Sequence, residues 1–325
     1  MITTHDDLPH PVPPIAYLRY KENWFFIIID VSNSVFGVAH FNYEPGHDRA
    51  RVSCNLMVRG ESYKYGNQIP FPADFAMSPQ IGDDHLKVRF VAAHERMDMT
   101  LNSDDVALDM SFLKRAPTFD YDNYDAANPE KPTMKEVMTF ATNQMFHNQQ
   151  QALTIGGTLR LKTGKAAGET ITLKGLGYRD HSRSVRVDSF VAGHIWSCLL
   201  FPQTVIGAIS LTGILRPGAT MTSGYVHDGA GTRSLRDVEI TKQGAAPDGM
   251  PATVEYKTND VYGRPFTVVA DIANRVGFVP LMSEAPIGNG YSYSIVENFC
   301  PVTLLETGEK GHALVEIGFN SKLPA

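Results

Sequence analysis

Apolar residues recur at every second position along much of this chain, and a period of two is the signature of a strand with one buried face. Ala50, Val52, Cys54, Leu56 and Val58 share one face, while Arg51, Ser53, Asn55 and Arg59 take most of the other. Leu86, Val88 and Phe90 alternate with Lys87 and Arg89, and Val106, Leu108, Met110 and Phe112 with Ala107, Asp109 and Ser111. Turn residues separate these runs at Glu44–Asp48, Gly82–Asp84 and Asn102–Asp105. Many short strands at this spacing predict an all-β chain folded as sandwiches or barrels, not an α/β sheet.

The pattern breaks between Pro117 and Pro132, where Asp, Asn, Tyr and Pro dominate, and resumes beyond it. Further strands are expected at Leu159–Leu161, Ile171–Leu173, Ala252–Tyr256, Phe266–Ile272 and Ala313–Phe319. One helix is expected over Thr133–Gln150, because Val137, Met138, Ala141 and Met145 recur at helical spacing. With 325 residues the chain is long enough for about two domains. The break places them at residues 1–132 and 133–325.

Composition narrows the function classes. Hydrophobic residues make up 43% of the chain and charged ones 20%, enough to bury a sizeable core. The net charge of −6 is spread out, and no basic tract points to nucleic acid or to membrane insertion. Met1–Pro14 lacks the cationic start and apolar run of a secretory leader. Cys54, Cys198 and Cys300 are far apart and odd in number, which fits a reducing compartment. A cytoplasmic protein is the expectation.

Chemistry concentrates in Gly177-Tyr178-Arg179-Asp180-His181-Ser182, followed by Arg183 and Arg186. Such groups are costly to bury inside a strand-like, apolar stretch unless they pair or react. Alternation puts Arg179, His181 and Arg183 on one face and Tyr178, Asp180 and Ser182 on the other. Two arrangements follow. Asp180 faces an apolar cavity as an acid, or His181 faces it as the proton-transfer group while Asp180 pairs with Arg179 or Arg186.

The same stretch resembles a known superfamily. Gly156-Gly157-Thr158-Leu159-Arg160, then Gly175 to Ser182 and Arg186, resemble the core of the carotenoid 1,2-hydratase/AttH-like superfamily, in its bacterial branch with a Tyr-Arg-Asp-His-Ser motif. Glu22-Asn23-Trp24-Phe25-Phe26 with Gly37 resembles its opening hairpin. Asp109–Phe112, Ala116-Pro117 and Phe119–Tyr121 resemble the end of its first domain. The resemblance implies two tandem lipocalin-like β-barrel or half-barrel domains with a ligand pocket near their junction. Relatives include carotenoid hydratases and fungal Diels–Alderase-type cyclases, which handle large apolar substrates with neither metal nor organic cofactor. In this chain Arg183-Ser184 stands where the family usually carries Trp-Gly, which removes an aromatic wall and argues against a carotenoid-type hydration.

Weaker signals complete the set. Tyr293-Ser294-Ile295-Val296-Glu297 resembles the family's C-terminal aromatic-x-Glu strand, with Glu297 a possible second carboxylate. Trp24, Trp196, Tyr225 and Tyr178 are candidate pocket walls, and His94-Glu95-Arg96 reads as a solvated strand end. His194 and His227 with His181 match no familiar zinc spacing, and no metal is expected. Gly229-Ala230-Gly231 reads as a plain turn, and no Gly-x-Ser-x-Gly elbow occurs.

The expected function is a cofactor-independent lyase or isomerase acting on a terpenoid-, steroid- or polyketide-like substrate, by hydration or dehydration of a double bond. Asp180 and His181 are the expected catalytic pair. Tyr178, Arg179, Arg183, Arg186, Trp24, Trp196 and Glu297 are the expected substrate contacts. A pericyclase and a non-catalytic carrier of apolar ligands are the alternatives.

Overall fold

A computed structural model describes residues 4–14, 18, 20–121, 146–185, 191–213, 220–288 and 291–322. Strands account for most of it, with two short 3-10 turns and no α-helix among the described residues. No helix there is long and apolar enough to cross a membrane.

The first unit holds residues 4–121 and 146–185 among those described. Its strands are β1 (Tyr20–Asp30), β2 (Val35–Glu44), β3 (Arg49–Val58), β4 (Glu61–Ile69), β5 (Gln80–Gly82), β6 (Leu86–Ala92), β7 (Arg96–Asn102), β8 (Val106–Lys114), β9 (Phe119–Asp120), β10 (Phe146–Leu161) and β11 (Thr170–Val185). They form one sheet in the order β4-β3-β2-β1-β11-β10-β8-β7-β6-β5, with β9 bonded to β10. Residues from both ends of that order share one core, so the sheet curls into a half-barrel around its own concave face. The alternation read from the sequence is the burial pattern: along β3 every second side chain is buried. β1 departs from it, being buried on both faces from Asn23 to Asp30, as its Trp-Phe-Phe-Ile-Ile-Ile run requires.

The second unit contains β12 (Val191–Leu200), β13 (Val205–Gly213), β14 (Thr220–Asp228), β15 (Gly231–Gln243), β16 (Thr253–Asp260), β17 (Pro265–Asp271), β18 (Gly277–Gly288), β19 (Tyr291–Leu304) and β20 (Glu309–Lys322). Their order is β17-β16-β15-β14-β13-β12-β20-β19-β18, and β17 also bonds β19. That extra pairing closes an eight-stranded barrel and leaves β18 outside the ring. Ile195, Leu199, Val226, Phe266, Val302 and Val315 fill its interior. The all-β, lipocalin-like architecture expected from the sequence is therefore the one observed.

Two sequence expectations are corrected. The boundary at 132/133 gave the Asp-His strand to the second domain. Instead β11 bonds β1 on one side and β10 on the other, and β10 bonds β8, so both strands complete the first sheet. The helix expected over Thr133–Gln150 is strand where it is described. Residues 146–150 open β10, with Gln149 and Gln151 on one face and Asn148 and Gln150 on the other. Residues 133–145, like most of the expected linker, lie outside the described residues.

Candidate functional site

Alternation along β11 sorts the motif onto two faces, as the period of two demands. His181 lies opposite Trp24 of β1, a member of the concave core, so Arg179, His181 and Arg183 belong to the concave face. Tyr178, Asp180 and Ser182 belong to the convex face. Two separate polar constructions result.

On the concave face the centre is Glu22, a fully buried carboxylate. Its Oε1 accepts hydrogen bonds from His10 Nδ1 at 2.7 Å and His181 Nε2 at 2.9 Å. Its Oε2 accepts from the Tyr20 hydroxyl at 3.0 Å and the His10 backbone N–H at 3.1 Å. Burial pushes the Glu22 carboxyl up, but these donors outweigh it and hold the group at about 2. Burial keeps His181 below its ordinary range despite Glu22 beside it, so a neutral imidazole faces an ionised carboxylate. Trp24 stacks on the His181 ring with centroids 4.3 Å apart. Arg183 hydrogen-bonds Tyr20 at the edge of this cluster.

One step along the same face, Arg179 is wholly buried and paired with Asp7. Its Nη2 donates to His94 Nδ1 at 2.9 Å, and the His94 backbone N–H donates to Asp7 at 2.7 Å. Burial raises the Asp7 carboxyl, and Arg179 and His94 more than reverse it. Arg179 is thus committed to Asp7 across the core and does not pair with Asp180, which points the other way. His94, read as a solvated strand end, is part of this buried network. Arg186 lies outside the described residues.

The convex face carries a ladder that the motif alone did not reveal. Asn42, Asn23, Ser182 and Asn148 stand side by side across β2, β1, β11 and β10. The next row is His40, Phe25, Asp180 and Gln150. Asp180 Oδ2 accepts from Asn148 Nδ2 at 2.6 Å and Gln150 Nε2 at 3.1 Å. Gln150 Oε1 in turn accepts from the Tyr178 hydroxyl at 2.7 Å and that of Tyr121 at 3.3 Å. Two amide donors on one oxygen suit a carboxylate. Asn23 is only 5% exposed, yet among the described residues neither its Oδ1 nor its Nδ2 has a hydrogen-bond partner. Asn42 Oδ1 and Asn148 Oδ1, both shielded, lack partners too. Buried amide atoms left this way cost about 1–3 kcal/mol each, and these four stand in one patch in the row next to Asp180.

Trp196 and Glu297 lie on the second unit, on strands β12 and β19, and both side chains point away from the barrel interior. Both are nonetheless buried. His194 and His227 also belong to that unit, so the set weighed with His181 is split between the two units. Among the described residues, one trio offers metal-ligating atoms within 4.8 Å of one another: His10, Glu22 and His181. Its His–Glu distances of 2.7 and 2.9 Å are hydrogen-bond contacts, shorter than the ~3.3 Å between ligands held about 2.0 Å from one tetrahedral ion. The trio is a hydrogen-bonded cluster in which the carboxylate is already satisfied.

Comparison with known proteins places this geometry. A family profile described as "Domain of unknown function (DUF7064)" matches residues 3–321, nearly the whole chain. The chain belongs to this family. Among curated protein sequences none matches it. Solved structures do. CghA in complex with Sch210972 superposes with a TM-score of 0.64 over 97% of this chain and 94% of its own, at 10% identity. Kievitone hydratase from Nectria haematococca gives 0.59 over 95% and 93%, at 13% identity. An AttH candidate from Nitrosomonas europaea gives 0.60 over 91% of each chain, at 12% identity. The DUF7064 chain therefore has the fold of the carotenoid hydratase/AttH-like superfamily, as the Asp-His run implied.

Proposed function

We propose that this DUF7064 protein is a cofactor-independent hydro-lyase or isomerase that binds a hydroxylated, largely apolar small molecule on the convex face of the first sheet. One observation carries the reading: a carboxylate, Asp180, fixed by two amides beside a patch of buried amide atoms without partners. Kinship in fold with a hydratase supports it. Three of the four unpartnered atoms are acceptor oxygens and one is an N–H₂ donor, a set that complements hydroxyl groups and water.

Hydration of an activated alkene would then run as follows. Asp180 takes a proton from a water whose oxygen bonds to the alkene carbon. The π electrons move onto the conjugated carbonyl oxygen, which Asn23 Nδ2–H holds. The proton on Asp180 returns to the adjacent carbon, and the net change is addition of one water; dehydration is the reverse. His181, on the other face, supports the strand through Glu22 and does not touch the substrate in this reading.

The test is incubation of the purified protein with hydrophobic metabolite extracts, followed by mass spectrometry. A gain or loss of one water's mass supports the reading, and isomers of unchanged mass move it to isomerase or cyclase. Bound ligand returned unaltered from every extract would replace it with a carrier. Asn23→Leu provides a second check. Removing a buried, unpartnered amide should stabilise the first unit by about 1–3 kcal/mol while abolishing ligand retention. A destabilised variant that still retains ligand would mean that Asn23 serves the fold.

A further inference from the structure

The barrel's ring closes at β19, and the closure leaves a cleft on its outer surface. β19 bonds β18 as far as Phe299 and β17 from Val302 onward, so its edge changes partner at Pro301. Phe299 C=O and Leu305 N–H both bond toward that edge. Alternation turns the backbone of residue 301 the same way, where an N–H would have no strand to meet. Proline carries none.

Val254, Ala270, Val302 and Ala313 belong to the barrel core, so their neighbours in sequence face outward. Two rows of these outward side chains line a cavity of about 320 Å³, at the small end of pockets that hold small molecules. The first row is Thr253, Asp271, Pro301 and His312. Thr253 is the partner of Asp271 and Pro301 that of His312, and Asp271 stands one step beyond the last β17–β19 pair. The second row is Val269, Thr303 and Lys310.

The charges in this cavity do not cancel each other. Asp271 accepts from the Asn274 backbone N–H at 3.2 Å and from its Nδ2 at 2.8 Å, while Lys310 Nζ donates to Thr303 Oγ1 at 2.9 Å. Neither has an ion-pair partner among the described residues, although both line the same space. His312 is half-buried there and has no hydrogen-bond partner among the described residues. Burial holds its imidazole below the ordinary range, so near neutral pH it carries one N–H and one lone pair. The first row therefore offers acceptors, a carboxylate and an imidazole nitrogen. The second offers donors, the remaining Lys310 N–H groups and the Thr303 O–H.

A ligand of one charge meets its own sign in this cleft: an amine meets Lys310, and a carboxylate or phosphate meets Asp271. We propose that the cleft binds a small amino acid as its zwitterion. The ammonium donates to Asp271 and His312, the carboxylate accepts from Lys310 and Thr303, and an apolar side chain rests on Pro301 and Val269. The site lies wholly on the barrel, is separate from the one proposed around Asp180, and is tested without turnover.

The probe is L-leucine, titrated into the full-length protein and followed by the His312 ring signals in NMR, which His312→Gln identifies among the 11 histidines. Saturable shifts with a Kd of about 1 mM or tighter are expected, the range open to so small a ligand. 3-Methylbutylamine lacks the carboxylate and 4-methylpentanoate the ammonium, and each should bind roughly tenfold or more weakly. Lys310→Met should weaken leucine by a similar factor and strengthen the amine. Asp271→Asn should weaken leucine and strengthen 4-methylpentanoate. Failure to saturate the wild type, equal binding of the single-charge analogues, or leucine affinity unchanged in correctly folded Lys310→Met and Asp271→Asn would each overturn the assignment.

Discussion

Glu22→Ala should cost the first unit roughly 3–5 kcal/mol, more than any substitution on the protein's surface. The carboxylate accepts from His10 twice, from Tyr20 and from His181, so its loss strands four donors at once. The His10 and His181 rings pack on each other and His181 stacks on Trp24, so water cannot readily replace the lost acceptor. The measurement is denaturant unfolding followed by Trp24 fluorescence in a Trp196→Phe background, since the chain has 2 tryptophans. A midpoint within about 0.5 kcal/mol of the parent would remove Glu22 from its place as the keystone of this face. Acid should act in the same direction. The Glu22 carboxyl is held at about 2 against an ordinary 4.5, so its contribution is complete above 4.5 and is lost as pH falls toward 2. His181 is also held below its ordinary value, so its share is present above 6.5 and declines on acidification. Glu22→Ala should therefore flatten the acid limb of the stability profile.

Asp180→Asn should lower turnover roughly 10²–10⁴-fold once a substrate is in hand, the usual loss when a positioned base is removed. The substitution keeps the shape of the side chain, and an amide oxygen can still accept from Asn148 and Gln150. Stability should change by little, in contrast to Glu22→Ala. Turnover that survives Asp180→Asn unchanged, with ligand still bound, would shift the chemistry away from a carboxylate base.

The sequence carried the alternation, and with it the division of Asp180 and His181 between faces. What it concealed was distance. Glu22 meets His181 across 159 residues, and Arg179 meets Asp7 across 172, separations at which no local spacing operates. The boundary at 132/133 failed for the same reason: β10 and β11 close a sheet whose other strands precede the break. Asn148 and Gln150 escaped notice because a run of Gln and Asn resembles the polar end of a helix. In a strand the same run sets one amide toward Asp180 at every second step. Asn23 sat inside a motif quoted for its aromatic neighbours, and only its lack of partners singles it out.

The position of β1 has a consequence for synthesis. Its apolar run pairs with β2 early, but its other edge waits for β11, which leaves the ribosome about 159 residues later. At roughly 5–20 residues per second that is a delay of about 8–30 s. During it, Trp24 to Ile29 present an open, apolar edge to neighbouring nascent chains. An edge left open that long is an aggregation hazard, so the yield of folded protein should depend on translation speed as well as on the stability of the finished fold.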